Sequence, residues 1–208
     1  MIFDIIVVGN LGVNCLVLGC DRTGAGVIVD PGADAVLVVA QAAKRGLVIE
    51  KIINTHGHFD HVGANKYVKD ATGASLLIHE QDTPYLSRVA DVATMYGMRA
   101  SNSPMPDQFL IDGMELVFGD CRMQILHTPG HTPGGCCLYL PEEGMIITGD
   151  TLFAESVGRT DLPGGSHEIL ITSIRTKLLP LPDGTIIYPG HGPGSSIGHE
   201  KRHNPYIV

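Results

Sequence analysis

Short aliphatic and β-branched runs recur along the chain, each closed by glycine, proline, asparagine or aspartate. Ile5–Val8, Cys15–Leu18, Val27–Val29, Ile52–Ile53 and Ser75–Ile78 have the length and composition of strands. So do Leu116–Phe118, Met123–Leu126, Cys136–Leu140, Met145–Ile147 and Thr185–Tyr188. Longer patterns predict helices over Ala33–Arg45, closed by Gly46, over His61–Ala71 before Gly73, and over His167–Leu179 before Pro180. Gln81–Arg99 predicts one or two short helices, and Ser101–Asp107, with two prolines and no apolar period, predicts a loop. Strands leading, helices interspersed and no linker predict one α/β domain of stacked layers over residues 1–208.

Composition narrows this picture. Apolar residues make up 44% and charged residues 17%, enough for a sizeable core. No apolar run approaches the ~18 residues of a membrane span. Fourteen basic against twenty-two acidic residues give a net charge of −8, and no basic cluster exceeds Lys201-Arg202. That balance argues against nucleic acid and anionic membranes as partners. Five cysteines, an odd number, and an N-terminus with no basic residue before its apolar run predict a reduced, cytoplasmic protein whose first residues form a strand.

Histidine is what stands out, with ten in the chain. Asn54-Thr55-His56-Gly57-His58-Phe59-Asp60-His61 follows the strand Lys51–Ile53. In an extended segment residues two apart share a face, so His56 and His58 can reach one ion together. Asp60 and His61 come as the chain turns into a helix and point elsewhere, so the spacing suits two adjacent metals better than one. A polar turn with Asp60 as helix cap would leave three histidines in six residues unexplained. Three later segments supply what such a site still needs. Thr128-Pro129-Gly130-His131-Thr132-Pro133-Gly134 offers His131, Thr148-Gly149-Asp150-Thr151 offers a carboxylate able to bridge two cations, and Tyr188-Pro189-Gly190-His191-Gly192 offers a last histidine. All four segments sit at the end of a predicted strand, where α/β sheets present their ligand loops.

In this order the four motifs resemble the metallo-β-lactamase-fold hydrolases, and within them the glyoxalase II-like branch. The resemblance runs from Asn14-Cys15-Leu16-Val17 and Asp30-Pro31-Gly32 through Gly158-Arg159-Thr160-Asp161-Leu162-Pro163-Gly164-Gly165 to Gly192–Glu200 and Asn204-Pro205, the last typical of compact bacterial members. It implies an αββα sandwich with a two-metal cleft at one edge. It further implies that His56, His58 and His131 hold the first metal, that Asp60, His61 and His191 hold the second, and that Asp150 bridges. Imidazole and carboxylate ligands suit zinc first, and also iron or manganese.

The implied activity is hydrolysis of a small-molecule thioester of the S-lactoylglutathione type, with Asp60 orienting the attacking hydroxide. An iron-dependent persulfide dioxygenase of the same fold shares the Gly-Arg-Thr-Asp loop and is the second reading; the compact length and the Leu-Pro-Gly-Gly continuation favour the hydrolase. Two-domain members grip glutathione with a C-terminal helical domain, which the length of this chain leads us not to expect. Where many relatives have a second histidine after the third ligand segment, this chain has Gly135-Cys136-Cys137, so glutathione selectivity is expected to be weak. Arg159 either anchors a substrate carboxylate or pairs with Asp161, the commoner fate of an arginine near an aspartate. His79 is expected to be a hydrogen-bonded structural residue and His127 a support of the ligand loop. His167, His199 and His203 are expected on helix surfaces or in packing, and Cys136 and Cys137 are expected to be buried.

Overall fold

The first apolar run, β1 (Ile2–Val8), turns at two left-handed glycines, Gly9 and Gly12, into β2 (Val13–Gly19), and the two pair antiparallel. In the computed structural model, which describes residues 1–207, the chain forms two compact units. One comprises Met1–Phe109 with Val117–Cys121; the other comprises Leu110–Leu116 with the chain from Arg122 on.

In the first unit β2 continues antiparallel into β3 (Ala25–Val29). Two helical crossovers follow, and they force parallel pairing. α1 (Ala35–Lys44) leads to β4 (Val48–Ile53) beside β3; α2 (Phe59–Val62) and α3 (Asn65–Thr72) lead to β5 (Ser75–His79) beside β4. A 3₁₀ turn (Glu80–Asp82), α4 (Thr83–Leu86) and α5 (Val89–Met95) precede β6 (Gln108–Leu110), which completes a sheet ordered β1-β2-β3-β4-β5-β6. Val17, Ile28, Ile52 and Leu76 from successive strands meet Val38 and Ala42 of α1 and Val68 of α3 in one core. β2 and β3 are buried at every position, which is why they read as continuous apolar runs and not as alternation.

α1 begins two residues later than its pattern suggests and ends as expected. Gly46 is left-handed, its N–H bonds to the Ala43 carbonyl and that of Leu47 to the Ala42 carbonyl. The single helix expected over His61–Ala71 is two helices. Ala64 N–H is drawn to the Pro31 carbonyl, and Gly63 lies so close to Gly32 that a Cβ there would be 2.5 Å from the Gly32 oxygen. The chain therefore steps sideways between α2 and α3.

The second sheet is ordered β14-β13-β10-β9-β8-β7. Its strands are β7 (Glu115–Phe118), β8 (Cys121–His127), β9 (Cys136–Leu140), β10 (Met145–Gly149), β13 (Ile186–Pro189) and β14 (Ser195–Ser196). A small hairpin, β11 (Leu152–Phe153) and β12 (Ser156–Val157), follows β10. α6 (His167–Ser173) is capped by the Ser166 hydroxyl, which accepts the Ile169 N–H, and runs on as a π-helical turn to Leu178. α7 (Ile197–His203), which no apolar period announces, is capped in the same way by Ser196 on His199. Leu170, Ile174 and Ile197 pack on Leu126, Cys137, Ile146 and Ile187 of the sheet. β9 runs antiparallel to both β8 and β10, and β13 is parallel to β10. Hence β8, β10 and β13 all end at the same edge, and each delivers one of the expected ligand loops there.

Candidate metal centre

In the first unit the parallel pairing of β3 and β4 places the residues after both strands side by side. Asp30, which takes a left-handed conformation (φ 49°), donates its N–H to the Ile53 carbonyl. Its carboxylate then organises the segment that leaves β4. Oδ1 accepts the Thr55 N–H at 2.8 Å; Oδ2 accepts the Thr55 hydroxyl at 2.6 Å and lies 3.0 Å from His61 Nδ1. The Thr55 hydroxyl has spent its hydrogen on Asp30, so towards His56 Nδ1, 3.1 Å away, it is an acceptor. Both His56 and His61 therefore carry hydrogen on Nδ1 and present Nε2 as a lone pair, the tautomer a metal ligand needs.

All of these groups are buried, where an unsatisfied polar atom is costly. Asn54 and Asn65 brace the same turn from behind. Asn65 Nδ2 donates to Asn54 Oδ1 at 2.7 Å and to the Ser103 hydroxyl at 2.9 Å, and Asn54 Nδ2 donates to the His61 carbonyl at 3.3 Å. From the exit of β5, buried Asp82 accepts the Gly57 N–H at 2.8 Å. The Tyr85 and His58 rings meet edge to face, and burial followed by the Asp82 charge pushes the phenol above the ordinary range.

The spacing set His61 apart from His56 and His58, but its ring lies nearer to His56 than that of His58 does. His56 and His58 lie 4.8 Å apart, edge to face, and His56 and His61 lie 4.1 Å apart. Asp60 is not the helix cap: His58 occupies that position in an extended conformation, and Asp60 falls in the first turn of α2. There its Oδ2 is 3.9 Å from His61 Nε2. Ligand atoms that share one ion at bond lengths of ~2.0–2.2 Å lie roughly 3–4 Å apart. One ligand atom each from Asp30, His56 and His61 also falls within 4.8 Å of the others. Gly32 makes the arrangement compact, since a Cβ there would lie 1.4 Å from the Asp60 carbonyl oxygen.

The second unit supplies the other expected ligands. Asp150 Oδ2 lies 3.6 Å from His131 Nε2 and 3.6 Å from His191 Nε2. One carboxylate thus stands between two imidazoles at ligand spacing. His131 Nδ1 donates to the Arg159 carbonyl at 2.8 Å, which again leaves Nε2 as the lone pair. The Gly190 N–H bonds to the Gly149 carbonyl at 2.8 Å and ties the His191 loop to the Asp150 loop. Beneath them the buried Thr128 hydroxyl contacts the Thr151 hydroxyl at 3.2 Å and Cys137 Sγ at 3.2 Å, joining the His131 loop to the turn after β10. Burial pushes the Cys137 thiol up to about 11.

Arg159 lends the site its backbone carbonyl, while its guanidinium makes a bidentate pair with Asp161 at 2.8 and 2.7 Å. That pair holds the Asp161 carboxyl at about 2. His127 bridges the ligand loop through Nε2 and the Pro133 carbonyl, and His79 accepts the Gln81 N–H. His199 pairs with Glu155 across to the β11–β12 hairpin. The sequence reading missed Asp30, Thr55, Asn54, Asn65, Asp82, Thr128 and Thr151 as supports of the site. Only Asp30-Pro31-Gly32, at the end of a strand, carried a readable signal.

A sequence profile described as the metallo-beta-lactamase superfamily matches residues 8–191. Hydroxyacylglutathione hydrolase GloC of Haemophilus influenzae is 38% identical over 209 residues, which span 100% of this chain and 98% of the relative. Among solved structures, the BLEG-1 B3 metallo-beta-lactamase superposes with a TM-score of 0.92 at 36% identity, covering 100% of both chains. TTHA1623 in a di-iron-bound form superposes with a TM-score of 0.90 at 36% identity, covering 98% of this chain and 99% of that one.

Proposed function

Because the chain belongs to the metallo-β-lactamase superfamily and has its fold, we propose that it is a metal-dependent thioesterase of the hydroxyacylglutathione hydrolase type. The observation that carries this reading is the likeness to GloC over essentially the whole of both chains. The donor sets support it: imidazoles held through Nδ1 and carboxylates at ligand spacing fit divalent ions. In this reading His56, His58 and His131 hold one ion, Asp60, His61 and His191 hold the other, and Asp150 is shared. Zinc is the proposed metal.

Such ions supply Lewis acidity towards an acyl carbonyl and lower the pKa of bound water towards ~7. The residues of the chain do the rest. Asp60 orients the attacking water by accepting its hydrogen. Asp30 and Thr55 keep His56 and His61 in one tautomer and one orientation through turnover. The Arg159 guanidinium exchanges the exposed Asp161 for a carboxylate on the thiol side of the substrate. The leaving thiolate, with a pKa of roughly 8.5, departs without a strong general acid. Five free, buried cysteines suit a reducing cytoplasm, and no helix among the described residues is long and apolar enough to cross a membrane.

A second reading, an iron-dependent persulfide dioxygenase, is favoured by one observation, the likeness to ETHE1 of Myxococcus xanthus, which superposes with a TM-score of 0.82 at 28% identity over 99% of this chain and 84% of that one. Metal-free protein reconstituted with zinc or ferrous iron, under air and under nitrogen, separates the two. The thioesterase reading predicts zinc-supported cleavage of S-lactoylglutathione that is indifferent to oxygen. Turnover seen only with iron, oxygen and a glutathione persulfide would overturn it, since zinc has no accessible redox chemistry.

A further inference from the structure

α5 ends abruptly. Gly97 is left-handed (φ 71°), its N–H bonds to the Thr94 carbonyl at 2.9 Å, and the Met98 N–H bonds to the Ala93 carbonyl at 2.8 Å. This paired closure reverses the chain and fixes the direction in which Met98 and Arg99 leave the helix. Both residues line a cleft of about 400 Å³, within the ~300–1,000 Å³ range of small-molecule sites. The whole cleft lies in the first unit. Its walls are mostly apolar, built from Val8, Leu11 and Val13 around the β1–β2 turn, from Ala33, and from Phe59, which stacks on Tyr96 at 5.2 Å. Two charged side chains reach it: Asp60, one of the proposed ligands, and Arg99.

Arg99, like Arg88 and Arg175, differs from the paired arginines of the surface, and of these three it is the one that lines the cleft. Arg22, Arg45, Arg122 and Arg159 are each held by an aspartate or glutamate. The Arg99 guanidinium has no such carboxylate among the described residues. A cation beside an apolar cleft whose other charged group is a proposed metal ligand describes one kind of guest. Its reacting end meets Asp60, its body is apolar, and its far end is an anion able to take a bidentate guanidinium.

Resting on the thioesterase reading, we propose that this cleft receives the acyl part of the substrate and that Arg99 selects acyl groups ending in a carboxylate, the half-thioesters of short dicarboxylic acids. Arg99 would be a specificity residue, remote from the bond that breaks.

The test compares S-glutaryl and S-pentanoyl thioesters of one neutral thiol, N-acetylcysteamine, on the zinc-loaded protein. The wild type should show a KM about tenfold lower for the glutaryl ester, the effect expected of one charge-assisted contact. Arg99→Gln should remove that difference by raising the glutaryl KM, with kcat within about twofold and the pentanoyl ester unaffected, and Arg99→Lys should recover part of it. Equal KM values for the two esters in the wild type, or equal effects of the substitution on both, would overturn the proposal. Calorimetric titration with glutarate gives a readout without turnover, and Arg99→Gln should bind it about tenfold more weakly. If neither ester is cleaved, the thioesterase reading fails, and this titration still decides the role of Arg99. Unchanged glutarate affinity would overturn it.

Discussion

Asp30 Oδ2 lies 3.0 Å from His61 Nδ1 and 2.6 Å from the Thr55 hydroxyl that supports His56, so a single buried carboxylate orients two of the proposed ligands. Both contacts require an acceptor at that oxygen. Asp30→Asn should lower zinc affinity by about 10–100-fold, the usual cost of losing a group that orients a ligand. Competition titration with a chromophoric chelator measures this, and an affinity within about twofold of wild type would show that the histidines are positioned by other means.

Gly158 packs directly against Asp150. A Cβ at Gly158 would lie 1.9 Å from the Asp150 carbonyl oxygen and 3.3 Å from His131 Cβ. Because the obstacle is backbone, Gly158→Ala should displace the Asp150 loop, cost about 1–3 kcal/mol in urea unfolding and weaken metal binding. Gly184, with nothing within 4 Å of its added Cβ, is the matched control and should tolerate alanine within about 0.5 kcal/mol. Equal effects at both positions would remove the steric argument.

The Asp4–Arg45 pair ties β1 to α1, and the guanidinium holds the Asp4 carboxyl at about 2, against an ordinary 3.8. A depressed carboxylate stabilises the fold above its unfolded value, and that contribution is lost as pH falls through the folded one. Asp4→Asn should therefore be less stable than wild type at pH 6 by up to about 1 kcal/mol, the scale of a partly exposed ion pair. The difference should shrink between pH 3.8 and about 2. A gap that stays constant through that window would assign the effect to packing.

Cys137 lies under the ligand loops with its thiol raised to about 11, and burial together with the Asp30 charge raises Cys15 as well. Thiolate is the reactive form, so neither should take up iodoacetamide at pH 7.5 in the folded protein, and both should do so in urea. Mass spectrometry of the digested protein reads the modification site by site. Rapid native labelling of Cys137 would show that the loops above it open readily.

The proposed ligands were legible because each lies within a short motif at the end of a strand, and strand ends follow from apolar runs and Gly/Pro boundaries. The continuous runs of β2 and β3 announced buried strands for the same reason. What was illegible depends on contacts far apart in sequence. Asp30 meets Thr55 and His61 only because β3 and β4 pair in parallel, and Asn65, at the start of α3, meets both Asn54 and the distant Ser103. The break between α2 and α3 arises from Pro31 and Gly32, thirty residues upstream in the chain. α7 went unpredicted because a serine cap in a Gly-rich stretch, and not an apolar stripe, starts it.

The claim on which the rest depends is that seven side chains hold two ions and that Asp150 is common to both. Elemental analysis of the purified protein and of its Asp150→Ala variant tests it most directly. The account predicts close to two divalent ions per chain in the wild type, and loss of metal together with thioesterase activity in the variant. A fully active Asp150→Ala protein that retains a single ion would contradict it.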